Sequence, residues 1–305
     1  MAAAGRRLRL CPATRTVSES ARNTLFADTL YVLAGTTTIT APVGVSAVAH
    51  IDRLTVYPVK GLDAHDVDRS RIRLGGTLAH DREFALLDAD SEVCNGKQIA
   101  HVHEVDAAYD PEGPLLALTA PDRHSERFAL MTERGRERAG EWFSDAFGMD
   151  VRLDRDSETG HVDRRSMGPS VISTATVEAV ASWFDDVTVE SARRRLRANI
   201  EVGGVPAFWE DRFVGESAPA FRAGDVRIEG VTSCGRCVVP SRDPETGEPT
   251  PEFRKQFIER RRESFPEWAD RDAFDHFYTM MLIARIPEAD RGETIAVGDD
   301  VEIVD

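Results

Sequence analysis

The chain has 305 residues, 41% of them hydrophobic, enough to bury a core in one large domain or two of ordinary size. Its formal net charge of −15 argues against a nucleic-acid backbone or an anionic membrane surface as partner. Of its basic residues only Lys60, Lys97 and Lys255 are lysines; this acidic, lysine-poor composition points to a halophilic cytoplasm, where salt screens self-repulsion. The four cysteines, Cys11, Cys94, Cys234 and Cys237, are too few and too unevenly placed for a disulfide framework, and they suit a reducing compartment.

Residues 1–46 carry five Arg against two acidic residues, followed by an uncharged run over 29–49. Arg6-Arg7 invites comparison with an export signal and the run with a membrane span. Thr, Gly and Pro42 dilute it below a helix of about 20 apolar residues, so the segment reads as a disordered extension or a misassigned start, with no membrane span. Order is expected from Ala47. A strand over 51–56 ends in the turn Tyr57-Pro-Val-Lys60-Gly61, and short strands follow at 71–74, 83–88, 115–119 and 127–131, each bounded by Gly, Pro or Asp. An amphipathic helix over 136–147 places Ala139, Trp142, Phe143 and Phe147 on one face; Val151–Leu153 is a strand and 154–163 an acidic loop. Ser173 or Thr174 caps a second helix running to Phe184, and 189–196 forms a third. Strands are expected at 199–202, 212–214, 221 with 226–228, and from Val231 to the cysteine pair. A charged helix at 251–262 precedes closing strands at 277–286 and 294–304. The fold class is mainly β with inserted helices (α+β), with one β-rich unit over 47–153 and a second over 154–305.

Chemistry concentrates between Val231 and Gly247, where Cys234-Gly-Arg236-Cys237 is followed by Pro240 and the turn Asp243-Pro-Glu-Thr-Gly247. A Cys-x-x-Cys pair has four readings. Structural zinc needs two more ligands. An iron–sulfur cluster needs both outlying cysteines, and a thioredoxin-like pair needs a following helix. The fourth is a thiolate binding a soft metal carried by an organic cofactor. A phosphate-bearing cofactor needs cationic donors, and Lys60, Arg82, Arg197 and Arg236 stand at turns after strands. His101 and His103 would share one face of a strand without an evident third ligand, and Cys94 reads as a small buried hydrophobe.

Several segments, in order, resemble the MOSC domain, the molybdenum cofactor sulfurase C-terminal-like domain: Arg197-Ala-Asn199-Ile-Glu-Val, Phe208-Trp-Glu210-Asp211, Arg222-Ala-Gly224-Asp225, Cys234-Gly-Arg-Cys237 and Asp243-Pro-Glu-Thr-Gly247. Upstream, Leu54-Thr-Val-Tyr57-Pro-Val-Lys60-Gly61 and Asp81-Arg82-Glu-Phe resemble the β-barrel domain that precedes it in one branch of the family. The resemblance implies a fold of an N-terminal β-barrel-like unit followed by a MOSC β-barrel. By similarity to the amidoxime-reducing component and its bacterial counterparts, it also implies a molybdenum cofactor (Mo-molybdopterin) and reduction of N-hydroxylated compounds. Carried over, Cys237 is the catalytic residue and the protein ligand to the metal. Lys60 and Arg82 would contact the cofactor from the first unit and Arg197 and Asn199 from the second. Arg236 and a hydroxyl near Ser170 or Ser173 would complete the set. Gly61 stands where the family carries a hydroxyl, so backbone replaces a side-chain contact there. No ferredoxin-like cysteine cluster follows the last strand, so electrons are expected from a separate iron–sulfur or flavin protein. The rival reading is a cofactor carrier or sulfur-transfer module without reductase activity. The absence of a pyridoxal-phosphate-binding domain counts against a complete sulfurase, though not against a carrier.

Overall fold

In a computed structural model, the structure describes residues 48–305 except Asn95, Lys97 and Gln98. Cys11 and the expectations for residues 1–46 lie outside these residues. Within them the fold is mostly β-sheet with four α-helices.

Apolar residues recur along His50–Val56 (β1), and Ile51, Leu54 and Val56 are fully buried. The chain then makes β2 (His65–Asp66), β3 (Arg69–Arg71), β4 (Phe84–Leu87) and β5 (Val93–Cys94). A meander follows of β6 (Asp106–Asp110), β7 (Leu115–Ala120) and β8 (Arg123–Ala129), then helix α1 (Glu133–Phe147) and β9 (Arg152–Arg155). Thr132 caps α1 by accepting from the Gly135 amide at 3.0 Å, and Gly148, left-handed at φ 66°, ends it. Phe84, Leu86, Leu116, Phe128, Trp142, Phe143 and Leu153 close one core over these elements, with Cys94 inside it.

The second half begins with β10 (Ser170–Ser173), then α2 (Thr174–Ser182), α3 (Val189–Leu196) and β11 (Ile200–Gly203). It continues through β12 (Ala220–Ala223), β13 (Val226–Gly235), α4 (Phe253–Glu263), β14 (Thr279–Arg285), β15 (Thr294–Ala296) and β16 (Val301–Val304). The main sheet runs β16-β12-β13-β14-β10-β11-β1-β2; β10 and β11 are parallel and β1 is antiparallel to β11. The first strand among the described residues thus lies inside the sheet built by the second half of the chain. Trp209, Phe213 and Phe221 pack within 5.2 Å of one another between ring centroids in the core behind it. Helices α2, α3 and α4 bury Val177, Val180, Ala192, Phe253 and Phe257 in a third cluster. Among the described residues no helix is long and apolar enough to cross a membrane.

Several expected elements differ. The strand at 212–214 is the end of a 3-10 turn, Trp209–Phe213, because Trp209 and Phe213 bury on the same side at a spacing of four. The segment bearing His101 and His103 is likewise a 3-10 turn, Ala100–Glu104, and not a strand. The strand at 71–74 is displaced to 69–71, leaving Leu74 exposed, and that at 127–131 begins at Arg123. The acidic loop begins only after Arg155, since Asp154 and Arg155 pair with Ala85 and Phe84. The closing strand at 294–304 is broken by a turn at Gly298, whose φ is 90°. Strands β6 and β10 had no counterpart in the sequence reading.

Candidate functional site

The turn after β1 and the turn before β4 run side by side. The Lys60 amide donates to the Phe84 carbonyl at 2.8 Å, and the Arg82 amide to the Tyr57 carbonyl at 2.8 Å. Gly61 sits at φ 95°, a conformation that glycine adopts without steric cost, so backbone is what the chain offers there. Arg82 is also left-handed, at φ 49°, and so is Arg197, at φ 59° where α3 ends. Glycine would be the cheaper residue at both positions, and the two arginines carry backbone strain of about 1–2 kcal/mol each. Both guanidiniums lie against the Tyr57 ring, Arg197 at 4.0 Å and Arg82 at 5.0 Å from its centroid. Burial pushes the Tyr57 hydroxyl up to about 12 despite these two cations.

The partners of the two arginines differ. Arg82 is ion-paired with buried Asp81, which also accepts from the Tyr57 amide. Arg197 makes no ion pair among the described residues; its Nη2 donates to the Leu62 carbonyl at 2.8 Å. Burial, with Arg82 adding to it, holds the Arg197 guanidinium below its ordinary value. Lys60 reaches Asp163 at 2.6 Å, on the loop after β9.

Asn199, at the foot of β11, is 2% exposed and braces three strands. Its Nδ2 donates to the Thr55 carbonyl at 3.0 Å, and its Oδ1 accepts from the Ser170 amide (3.2 Å), the Ser170 hydroxyl (3.0 Å) and Arg82 Nη1 (3.4 Å). Ser170 opens β10. Ser173 caps α2, its hydroxyl accepting from the Thr176 amide at 3.0 Å. Of the two hydroxyls, Ser170 lines the cavity.

Strand β13 delivers the cysteine pair. Cys234, partly buried, accepts from Arg236 Nη1 at 3.5 Å, and Cys237 is exposed; both are free thiols. Arg236 reaches the carbonyls of Arg195 (3.4 Å) and Leu196 (2.9 Å), at the end of α3 where acceptors lack helical partners. Buried Arg195 answers from α3: its Nη1 donates to the carbonyls of Pro240 (3.0 Å) and Arg242 (2.6 Å), and its Nη2 pairs with Asp243 at 3.4 Å. Asp243 closes its own turn by accepting from the amides of Glu245 and Thr246. Helix α3 and the loop after Cys237 are therefore fastened by arginines pointing in both directions.

These parts meet. Lys60, Arg82, Ser170, Arg197, Asn199, Arg236 and Cys237 all line one cavity of about 530 Å³. Nine of its lining residues are Arg or Lys and four are Asp or Glu, in a chain of net charge −15. Among the described residues Arg164, Arg197, Arg236 and Arg242 of this lining make no ion pair, and the Nε atoms of Arg236 and Arg242 are buried without a hydrogen-bond partner. Among those residues, no group of three or more His, Cys, Asp or Glu is placed to hold a metal ion, so the cysteine pair lacks the further ligands a zinc site needs. The sequence reading missed Tyr57 as the plate between the arginines, the Lys60–Asp163 pair, and the lining by His103, Arg194, Arg195 and Arg242. The run Arg193-Arg-Arg-Leu-Arg197, dense in cations within an acidic chain, was the signal available for part of this.

A buried polar cluster lies outside the cavity lining. Glu210 accepts from the Ser173 amide (3.2 Å) and the Thr176 hydroxyl (3.1 Å), and burial, then the Asp211 carboxylate, pushes its carboxyl up to about 8. Asp211 pairs with Arg261 at 2.5 Å, and Arg261 is wholly buried among Phe208, Phe265 and Phe274. This accounts for the Phe208-Trp-Glu-Asp motif as an internal brace for the start of α2 and for α4.

Comparison with known families matches residues 48–191 to the MOSC N-terminal beta barrel domain and residues 167–302 to the MOSC domain. No curated protein matched the sequence. Among solved structures, the YuaD protein from Bacillus subtilis aligns at 12% identity with a TM-score of 0.38, over 84% of this chain and 94% of that one, too loosely to bear on function. With both family matches in order and spanning nearly all described residues, the chain belongs to the MOSC family, as a MOSC domain protein preceded by its N-terminal β-barrel domain.

Proposed function

We propose that this protein is a molybdenum-cofactor-binding oxidoreductase, cytoplasmic, that reduces N-hydroxylated compounds with electrons from a separate iron–sulfur or flavin protein. The observation that supports the reading is one cavity in which cations from several separate elements and an exposed thiol face the same space in an acidic chain. The residues present suit an anionic pterin carrying a soft metal. Arg197 without a carboxylate and Arg236 with a partnerless Nε are donors that such a ligand would satisfy. Lys60, Arg82 and Arg197 would hold its phosphate and pterin, and the Cys237 thiolate would ligate the metal. When bound, the cofactor supplies a two-electron redox centre.

The chain's own contribution is positioning. Tyr57 keeps the two guanidiniums at fixed places, Ser170 and Asn199 brace Arg82 from behind, and Arg195 with Arg236 hold the loop that presents Cys237. The exposure of Cys237 is the observation that favours the second reading, a carrier or sulfur-transfer module, because a sulfur-bearing cysteine must be reached by a partner.

The test is metal and pterin content of protein made in a molybdenum-replete, high-salt host, beside Cys237→Ala, with reduction of benzamidoxime by a chemical electron donor. Near-stoichiometric molybdenum and pterin, lost or altered in the variant, with reductase activity, supports the reading. Molybdenum without activity supports the carrier, and zinc, or no metal and no pterin, overturns the reductase reading.

A further inference from the structure

Among the cavity-lining side chains given no role so far are His103, Arg194 and Arg242. They come from the 3-10 turn Ala100–Glu104, from α3 and from the segment after Cys237, and none falls in the motifs that carry the family resemblance. Arg194 is held by its Nη2 bond to the Pro244 carbonyl at 2.9 Å, with only a 3.4 Å pair to exposed Glu245. Arg242 is held by its Nη1 bond to the Gly247 carbonyl at 2.9 Å. Both guanidiniums are thus anchored on the Asp243–Gly247 turn, whereas Arg82 and Arg197 are anchored on Tyr57.

The polar capacity of this group is unspent. Arg242 makes no ion pair among the described residues, and its Nε and the Nε2 of His103 are both buried without a partner. Burial and then the guanidiniums of Arg242, Arg197 and Arg194 hold the His103 imidazole below its ordinary value, with Asp243 pulling the other way. Positive charge therefore outweighs local carboxylate. Guanidinium edges beside an imidazole suit a planar or tetrahedral oxyanion, which would accept from Arg242 Nε and from His103 when Nε2 carries its proton. A cavity of about 530 Å³ is of the size that holds a drug-sized ligand with several groups.

We infer that Arg242, Arg194 and His103 form a second oxyanion subsite in this cavity, apart from Lys60 and Arg82 and adjoined by Arg197, which takes the carboxylate or phosphate of a small substrate. Only the word substrate rests on the function proposed above; the subsite itself needs no bound cofactor.

The experiment is calorimetric titration of the full chain at low chloride with inorganic phosphate and, separately, benzoate, in wild type, Arg242→Gln, Arg194→Gln and Lys60→Gln. Unloaded wild type is expected to take two equivalents of phosphate. Arg242→Gln or Arg194→Gln should weaken one of them by roughly 10-fold or more, and Lys60→Gln should weaken the other, as loss of a charge-assisted bond requires. Arg194 is partly exposed and serves if Arg242→Gln does not fold, as judged by urea unfolding. Tighter benzoate than phosphate at the affected subsite assigns it to a carboxylate, and the reverse order to a phosphate ester. Binding of one equivalent, or of two that neither Arg242→Gln nor Arg194→Gln alters, overturns the inference. Metal analysis of the same preparation reports separately on the cofactor, so failure of that reading leaves the titration decisive.

Discussion

Replacing Arg197 by glycine and by alanine separates the strain this residue carries from the charge it supplies. Its φ of 59° and ψ of 47° cost a residue with a Cβ about 1–2 kcal/mol. Its side chain returns about 0.5–2 kcal/mol through the Tyr57 ring at 4.0 Å and about 1 kcal/mol through the Leu62 carbonyl. Glycine loses both contacts and releases the strain, so Arg197→Gly should lie within about 1 kcal/mol of wild type. Alanine loses the contacts and keeps the strain, so Arg197→Ala should fall about 1 kcal/mol below the glycine variant. Both remove the cation, and both should bind phosphate and retain pterin roughly 10-fold more weakly. Urea unfolding reads the first quantity, titration and metal content the second. Equal stability of the two variants would refute the strain argument; undiminished phosphate binding in both would refute the place of Arg197 in the site. Arg82→Gly provides the contrast: it leaves buried Asp81 without its cation, and should cost about 3 kcal/mol despite the same backbone relief.

Arg195→Met removes the donors to the Pro240 and Arg242 carbonyls; limited proteolysis should then cut within 239–247, and cofactor content should fall while the far-ultraviolet spectrum holds. Glu210 has a folded value of about 8, above its ordinary 4.5, so its contribution to stability is full below about pH 4.5 and is lost as pH rises towards 8. Glu210→Gln should therefore gain on wild type across that window in urea unfolding, and parallel pH profiles would contradict the assignment. Arg261→Met leaves Asp211 buried without its partner and should cost about 3–5 kcal/mol at pH 8, less at pH 5 where the carboxyl can take up a proton. Adding Asp211→Asn should recover most of the loss; an equal loss at both pH values would show that Asp211 is not the cause.

The helices were legible because each carries a capping hydroxyl or a periodic apolar face: Ser173 for α2 and Trp142 with Phe143 for α1. The long strands β13 and β14 were legible from β-branched and apolar runs. Of the short ones, β4, β9 and β11 were legible and β6 and β10 were not. Ser170-Val-Ile-Ser173 offers only two apolar residues between hydroxyls, and its strand character comes from lying between β11 and β14 rather than from its own sequence. Arg212-Phe213-Val214 reads as a short strand taken alone, and the packing of Trp209 and Phe213, four residues apart, against Phe221 fixed a 3-10 turn instead. In the site, residues standing inside recognisable motifs were named in advance, and the structure brings all seven to one cavity. What escaped was whatever depends on distant partners. Nothing local tells that Lys60 meets Asp163, or that His103 faces the segment after Cys237.

The place of β1 in the main sheet has a consequence for how the chain is made. His50 pairs with Gly203 and Leu54 with Ile200, so β1 emerges from the ribosome long before its partner. The meander, β4, β9 and α1 can close their own core early, because their contacts are complete by Arg155. Residues 50–56 must wait with an open hydrogen-bonding edge until β11 arrives, and such late, long-range pairing slows folding and exposes the chain to association in the interval. A nick between Arg155 and Ser170 would yield fragments that reassemble only together, since one holds the strand that the other's sheet is missing.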